Sequence, residues 1–277
     1  MASLVGAFAA SHGPLIIREW ERVPPEQKKR MAAAYKELGR RLTAAKPDVL
    51  IVVSPDHWSN FFLDNYPAVC IGVGAVNDGP PEPWMKDFPH RTLAGDAAFA
   101  SHLVDEALRQ GFEPAVSHHL KLDHGSCIPL WKMELERLPK IVPMLLNSIE
   151  PPMPSLDRCY RWGELLRKAI ESYREPLRVA ILGTGGLSHS IGEKTMGAIY
   201  EDFDQETIRL FGGAQDGLIR YLDEKLPTHG NGSEEVRNWL VAHGAAGGRG
   251  FELVDYLPVP TVIVGCGFAA WRIQAHN

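Results

Sequence analysis

The chain has 277 residues, 45% hydrophobic and 23% charged, and its 29 Lys and Arg against 34 Asp and Glu give a formal net charge of −5. That composition is globular rather than fibrous or disordered, and its acidic balance argues against nucleic acid, which rewards basic surfaces, and against a polybasic membrane anchor. No run of about 18 apolar residues is present to cross a bilayer. MASLVGAFAASHG lacks a basic leader region, and the four cysteines (Cys70, Cys127, Cys159, Cys266) have no CxxC spacing, so the expected setting is the cytoplasm, with free thiols.

In chain order, LVGAFAA (4–10) reads as a strand that runs straight into His12, Gly13 and Pro14. A helix is expected over 24–45, where Met31, Ala34, Tyr35, Leu38 and Leu42 recur at three- and four-residue steps. VLIVVS (49–54) is a second strand and leads to His57; AVCIGV (68–73) is a third. The Pro-rich stretch 77–91 reads as a long loop, the candidate lid over a site. Residues 95–111 form a helix with an Asp at its start and a Gly at its stop. SHHLKLDHG, with His118, His119 and His124, reads as a polar loop. KIVPMLLN (140–147) and RVAILGT (178–184) are strands; the second empties into Gly185, Gly186, Ser188 and His189. Helices are expected over 155–175, over 204–226 with a weak point at its Gly-Gly pair, and over 233–248. PTVIVGCGF (260–268) closes the series.

Runs apolar on both faces are the pattern of strands covered from both sides. Their alternation with long helices predicts an α/β fold: a single domain over 1–277, with a central mostly parallel or mixed sheet covered by helices on both faces.

The chemistry sits at strand ends. His12 and His57 each follow an apolar run, and ligand sites in open α/β sheets gather at the carboxyl ends of strands. Two imidazoles there can share a metal, although a histidine in a turn more simply bonds a backbone carbonyl. Asp56 is the poorer partner for His57's ion, because adjacent side chains on an extended segment point apart. By spacing alone the third ligand stays open among Glu234, Glu235, Asp123 and Asp56, and acidic residues at a helix start serve the macrodipole in any case. His189 arrives at a strand end as His12 and His57 do. GTGGLSH has neither the GKS/GKT nor the GxGxxG of a nucleotide loop, and no GxSxG elbow is present. Two histidines and one carboxylate form a facial set suited to non-haem Fe(II).

In the order SHGP, SPDHW, LDHG, GTGGLSH and EVRNW, from residue 6 almost to the end, the chain resembles the class III extradiol ring-cleavage dioxygenases. These form the superfamily of the protocatechuate 4,5-dioxygenase catalytic subunit and 2,3-dihydroxyphenylpropionate dioxygenase. The resemblance implies His12, His57 and Glu235 as Fe(II) ligands, with Glu235 chosen over Glu234 because it stands four residues before Trp239. It implies His189 as the acid/base and His124 as a histidine behind the ligands. The substrates implied are O2 and a small aromatic diol, such as a gallate-, protocatechuate- or arylpropionate-type catechol. Arg237, Arg249 and Lys121 are the cations that could bind a carboxylate on it, with plain surface solvation the commoner role of each. Some relatives need a small helical partner subunit to roof the site; this chain has no spare length for one, so a homo-oligomer or a separate partner is expected. Two alternatives remain: a Zn(II)-dependent relative, of the DOPA ring-opening type or a hydrolase, and a non-catalytic member acting as an interaction protein.

Overall fold

The computed structural model describes residues 1–273. Its strands and helices, in chain order, are β1 (Ser3–Ala10), α1 (Leu15–Arg18), α2 (Pro25–Ala45), β2 (Val49–Ser54), β3 (Val69–Gly72), β4 (Val76–Asp78), β5 (Thr92–Ala94), α3 (Ala97–Arg109), β6 (Ala115–Ser117), α4 (His124–Lys132), β7 (Lys140–Leu146), α5 (Leu156–Ser172), β8 (Arg178–Thr184), α6 (Glu201–Phe211), α7 (Gln215–Lys225), α8 (Val236–Ala245), β9 (Phe251–Val259) and β10 (Val264–Trp271). Eight strands form one sheet in the order β6-β3-β7-β2-β8-β1-β10-β9, and β4 and β5 form a separate hairpin. The central four, β7, β2, β8 and β1, are mutually parallel, while β3 and β10 join their outer sides antiparallel. The sheet is therefore mixed, with a parallel centre.

Period-two alternation explains why the central strands are apolar throughout. Val49, Ile51 and Val53 of β2 pack into one core together with Val179 and Ile181 of β8. Leu50 and Val52, with Ala180 and Leu182, pack into the other. α5 and α8 cover the first face, with Trp162, Leu166 and Trp239 buried there. α2 covers the second with Met31, Tyr35, Leu38 and Leu42. A fully buried side chain of this size contributes about 1.5–3 kcal/mol, so the three- and four-residue spacing in α2 is a large part of what holds it down. The caps are as the sequence implies: Asp96 accepts from Phe99 N at 3.1 Å and Ser155 from Arg158 N at 3.2 Å. All four cysteines are buried and free.

Topology places the site. The chain leaves β1 through α2 on one face and reaches β2; it leaves β7 through α5 on the other face and reaches β8. Connections that part to opposite faces leave a crevice at the carboxyl ends of the strands between them. No helix among the described residues is long and apolar enough to cross a membrane.

Several local expectations are corrected. The final strand begins at Val264, after a 3-10 turn over Pro260–Val262, and it pairs with β9, a strand the sequence reading missed. The β9 run FELVDYLPV mixes charged and apolar side chains because it is an edge strand, paired with β10 alone and only partly buried along most of its length. The helix expected over 204–226 is two helices, broken after Phe211 at Gly212 and Gly213. That expected from Ser233 starts instead as a 3-10 turn, Asn231–Glu235. The polar loop ends early, because His124 already opens α4 behind an Asp123 cap.

Candidate metal centre

Each predicted histidine leaves its strand under restraint. Ser11, next to His12, is held from three directions: its N–H donates to Gly267 O at 3.1 Å, its Oγ accepts from Gly267 N at 2.8 Å, and its carbonyl accepts from Tyr35 Oη of α2 at 2.7 Å. His12 is buried, with Nδ1 3.0 Å from Thr184 Oγ1 and Nε2 3.0 Å from Glu235 Oε1. His57 follows β2. Its backbone N–H donates to Asp123 Oδ2 at 2.6 Å, its Nδ1 lies 3.2 Å from the same oxygen, and its Nε2 lies 3.5 Å from Glu235 Oε1. Asp123 Oδ1 accepts from Gly125 N at 2.9 Å. The Asp of LDHG therefore aims His57 and starts the helix that carries His124. Asp56 faces away, as alternation requires: its carboxylate accepts from the backbone of Ser59, Asn60 and Phe61.

Of the two adjacent glutamates only Glu235 meets the histidines. Its Oε2 accepts from Gly186 N at 3.0 Å and lies 3.8 Å from His189 Nε2, whereas Glu234 pairs with Arg237. Gly185 has φ +141°, and a Cβ there would stand 2.7 Å from Glu235 Cβ, so the glycines of GTGGLSH make room for this carboxylate. His189 Nδ1 lies 3.1 Å from Leu187 O, a pairing that puts the proton on Nδ1 and leaves Nε2 as the acceptor.

Two supporting carboxylates escaped the sequence reading. Glu82, in the loop 77–91, accepts from His124 N at 3.0 Å and holds its Nδ1 at 2.7 Å. Nothing in a Pro-rich loop marks one glutamate for that contact. Asp204 is fully buried; it accepts from Ser188 N at 2.8 Å, Ser188 Oγ at 2.7 Å and Tyr256 Oη at 2.6 Å. The loop bearing His189 thus hangs from α6. In sequence, Asp204 looks like one of three acids in the first turn of a helix.

The loop 77–91 is not a lid over the cavity. Met85 and Phe88 are buried, Arg91 bonds the carbonyls of Pro80 and Met85, and no residue of the stretch lines the cavity. It packs behind His124 instead. His118 and His119 stay away from the cavity too, and His119 pairs with Asp78 at 3.0 Å.

The electrostatics are those of a site arranged around positive charge. Burial pushes the carboxyls of Asp123 and Glu235 up, but the neighbouring histidines, His57 for the first and His12 and His189 for the second, outweigh it and hold both well below the usual carboxylate range. Burial pulls His57 down, but the charges and hydrogen bonds of Asp123 and Glu235 dominate and push it up to about 10. Burial and the neighbouring His57 pull His124 down against the effect of Glu82. The buried carboxylates of Asp123 and Glu235 thus share the positive charge of the His57 imidazolium. A divalent cation can supply the same charge while the Nε2 atoms become its donors, and the donor set fits one: two imidazole nitrogens and a carboxylate oxygen converge, with both Nδ1 atoms already engaged by Thr184 and Asp123. His12, His57 and His124 also offer three nitrogens within 4.8 Å of one another.

These side chains form the floor of a cavity of about 430 Å³ whose walls include Leu15, Trp58, Ile149, Ile191, Val262 and Ile263. Arg237, Arg249 and Lys121 do not line it: Arg237 bonds Pro154 O and Glu234, and the other two lie elsewhere on the surface.

Residues 6–267 match the model of the family described as the catalytic LigB subunit of aromatic ring-opening dioxygenase. The chain belongs to this family. Among similar curated proteins, the 2,3-dihydroxyphenylpropionate/2,3-dihydroxicinnamic acid 1,2-dioxygenase of Klebsiella pneumoniae (strain 342) is 33% identical over 183 residues, 65% of this chain and 54% of that protein. The protein of the same name from Paraburkholderia phymatum is 36% identical over 151 residues, 54% of this chain and 45% of that one. The chain spans about half the length of the curated relatives it matches. The crystal structure of an uncharacterized protein from Escherichia coli K12 superposes with a TM-score of 0.63 over 95% of this chain and 99% of that one at 16% identity, a likeness of fold. The LigB-family core thus carries the strand ends, the cavity and the histidine cluster.

Proposed function

We propose that the protein is a non-haem Fe(II)-dependent extradiol dioxygenase that opens the ring of a catechol and inserts both atoms of O2, with His12, His57 and Glu235 as the metal ligands. The observation that carries this is the convergence of His12 Nε2, His57 Nε2 and Glu235 Oε1, at 3.0 and 3.5 Å, on the floor of a cavity large enough for one aromatic ring. Membership of the LigB family and the names of its relatives point to the same chemistry. When bound, Fe(II) supplies a template for diol and dioxygen and a path for electrons between them.

The chain's own groups do the rest. His189 takes a hydroxyl proton of the diol at Nε2, since its Nδ1 is committed to Leu187 O. Once protonated, it can return that proton to an oxygen as the O–O bond breaks. Asp204, through Ser188, keeps His189 on station. His124, tied at Nδ1 to Glu82, lies with its ring 4.1 Å from that of His57 and closes one side of the floor. The apolar walls exclude water from the reacting ring.

The test is metal analysis of anaerobically purified protein, with oxygen uptake and product absorbance on a catechol panel. Iron with stoichiometric oxygen uptake supports the proposal; zinc without uptake overturns it. The three convergent nitrogens of His12, His57 and His124 favour a second reading, a Zn(II) site, because zinc accepts three imidazoles readily.

A further inference from the structure

One wall of the cavity is built by the segment after β7, and its shape is fixed by one side chain. Asn147 Nδ2 donates to Glu150 O at 2.7 Å and to Pro152 O at 3.1 Å, while its Oδ1 accepts from Ile149 N and Glu150 N at 3.2 Å each. This clamp holds Ser148, Ile149 and Glu150 against the cavity. Ser148 is buried, and its Oγ has no hydrogen-bond partner. Glu150 is exposed at the rim, and its carboxylate has no ion-pair or hydrogen-bond partner among the described residues. No Lys or Arg lines the cavity among the described residues. The other polar rim residue, Asn231, is spent on both the N–H and the carbonyl of Ile191.

We infer that this site selects catechols whose ring substituent is apolar along its length and uncharged or cationic at its end, with Glu150 reading the sign of the charge, and that it disfavours carboxylated side chains. The inference rests on the catechol reading above and goes beyond it to the substituent. A carboxylate on the ring substituent would leave water for a wall without Lys or Arg among the described residues, beside a carboxylate already in place. An ammonium would find Glu150. Ser148 can donate or accept, so it anchors a polar terminus without reading its charge. Because Glu150 is exposed, each charge pairing at the rim is worth a few-fold in affinity, and attraction of one sign combined with repulsion of the other gives a preference of about tenfold.

The experiment compares one catechol ring bearing ethyl, aminoethyl or carboxyethyl side chains, each at both ring positions next to the diol. The iron-loaded enzyme is assayed for kcat/KM in air and for equilibrium binding under nitrogen. The expected result is that carboxyethyl is worst by both measures, with aminoethyl favoured over it about tenfold at low salt and less at high salt. Glu150→Gln should shrink the aminoethyl-to-carboxyethyl ratio a few-fold and Glu150→Lys should invert it. A wild-type preference for carboxyethyl, or a ratio unmoved by Glu150→Lys, overturns the inference and leaves the dioxygenase reading standing. If none of the three is bound or opened, this inference falls, and the dioxygenase reading is judged separately by iron content and oxygen uptake on the wider catechol panel.

Discussion

The two ends of the sheet's parallel centre differ in a way that size does not reveal. At the amino-terminal end lies a groove of about 760 Å³ lined by Lys46, Asp48, Asp96, Arg137 and Lys140; at the carboxyl-terminal end lies the 430 Å³ cavity with the histidines. Among the described residues, no histidine lines the larger one. Its charges have ordinary surface partners: Lys140 pairs with Asp96 at 2.9 Å, and Asp48 accepts from Arg178 N at 2.8 Å. In the smaller one, the buried Glu235 carboxylate faces the imidazoles of His12, His57 and His189 at 3.0, 3.5 and 3.8 Å. Convergent, buried, charge-frustrated donors mark a site that volume misses.

The sharpest way to break this contrast is to remove the donors. His12→Ala, His57→Ala or Glu235→Ala should abolish metal retention in purified protein, read by elemental analysis; full metal content in any variant strikes that residue from the ligand set. His189→Phe should keep the metal and lose about 10²–10⁴-fold in turnover. Gly232→Ala should act in the same direction, because a Cβ there would stand 2.1 Å from His189 Nε2; unchanged kinetics would show that His189 can move without cost. Asp123→Asn should weaken metal affinity about 10–100-fold by releasing the aim of His57, measured by competition with a chelating dye.

Asp204 sharpens the comparison through pH. Burial pushes its carboxyl from 3.8 up to about 7, against the pull of Tyr256 and Ser188. Between those values the native state holds a proton that the unfolded chain has lost. Its contribution to stability is therefore fully present below about pH 4 and is lost as pH rises through 7, with a slope of at most about 1.4 kcal/mol per unit. Urea unfolding from pH 4.5 to 8 should show Asp204→Asn flattening that slope; a parallel profile would refute the assignment. The smallest effect belongs to the other end of the sheet: Lys140→Ala breaks an exposed pair and should change stability by less than about 1 kcal/mol, with metal content intact.

Much of this could be read along the chain. Apolar runs with period two gave the central strands, the three- and four-residue spacing of Met31 to Leu42 gave α2, and the abrupt strand ends at His12, His57 and His189 pointed to one edge of one sheet. What spacing could not do was choose between neighbours. Glu234 and Glu235 are chemically identical in sequence; the 3-10 turn before α8 turns one to the histidines and the other to Arg237. Glu82 and Asp204 were equally invisible, because each acts across the fold on a residue 42 or 16 positions away.

The sequence by itself determined the central strands, the helices α2, α3 and α5, and the histidines that the strand ends deliver, since periodicity and strand termini are local properties of the backbone. Only the tertiary structure decided which carboxylates reach which imidazoles, that the loop 77–91 lies behind the site rather than over it, and that Glu150, with no Lys or Arg among the described residues, lines the cavity wall. Those are long-range facts: they follow from strands distant in sequence lying side by side, with helices drawn to opposite faces by the apolar surface they must bury.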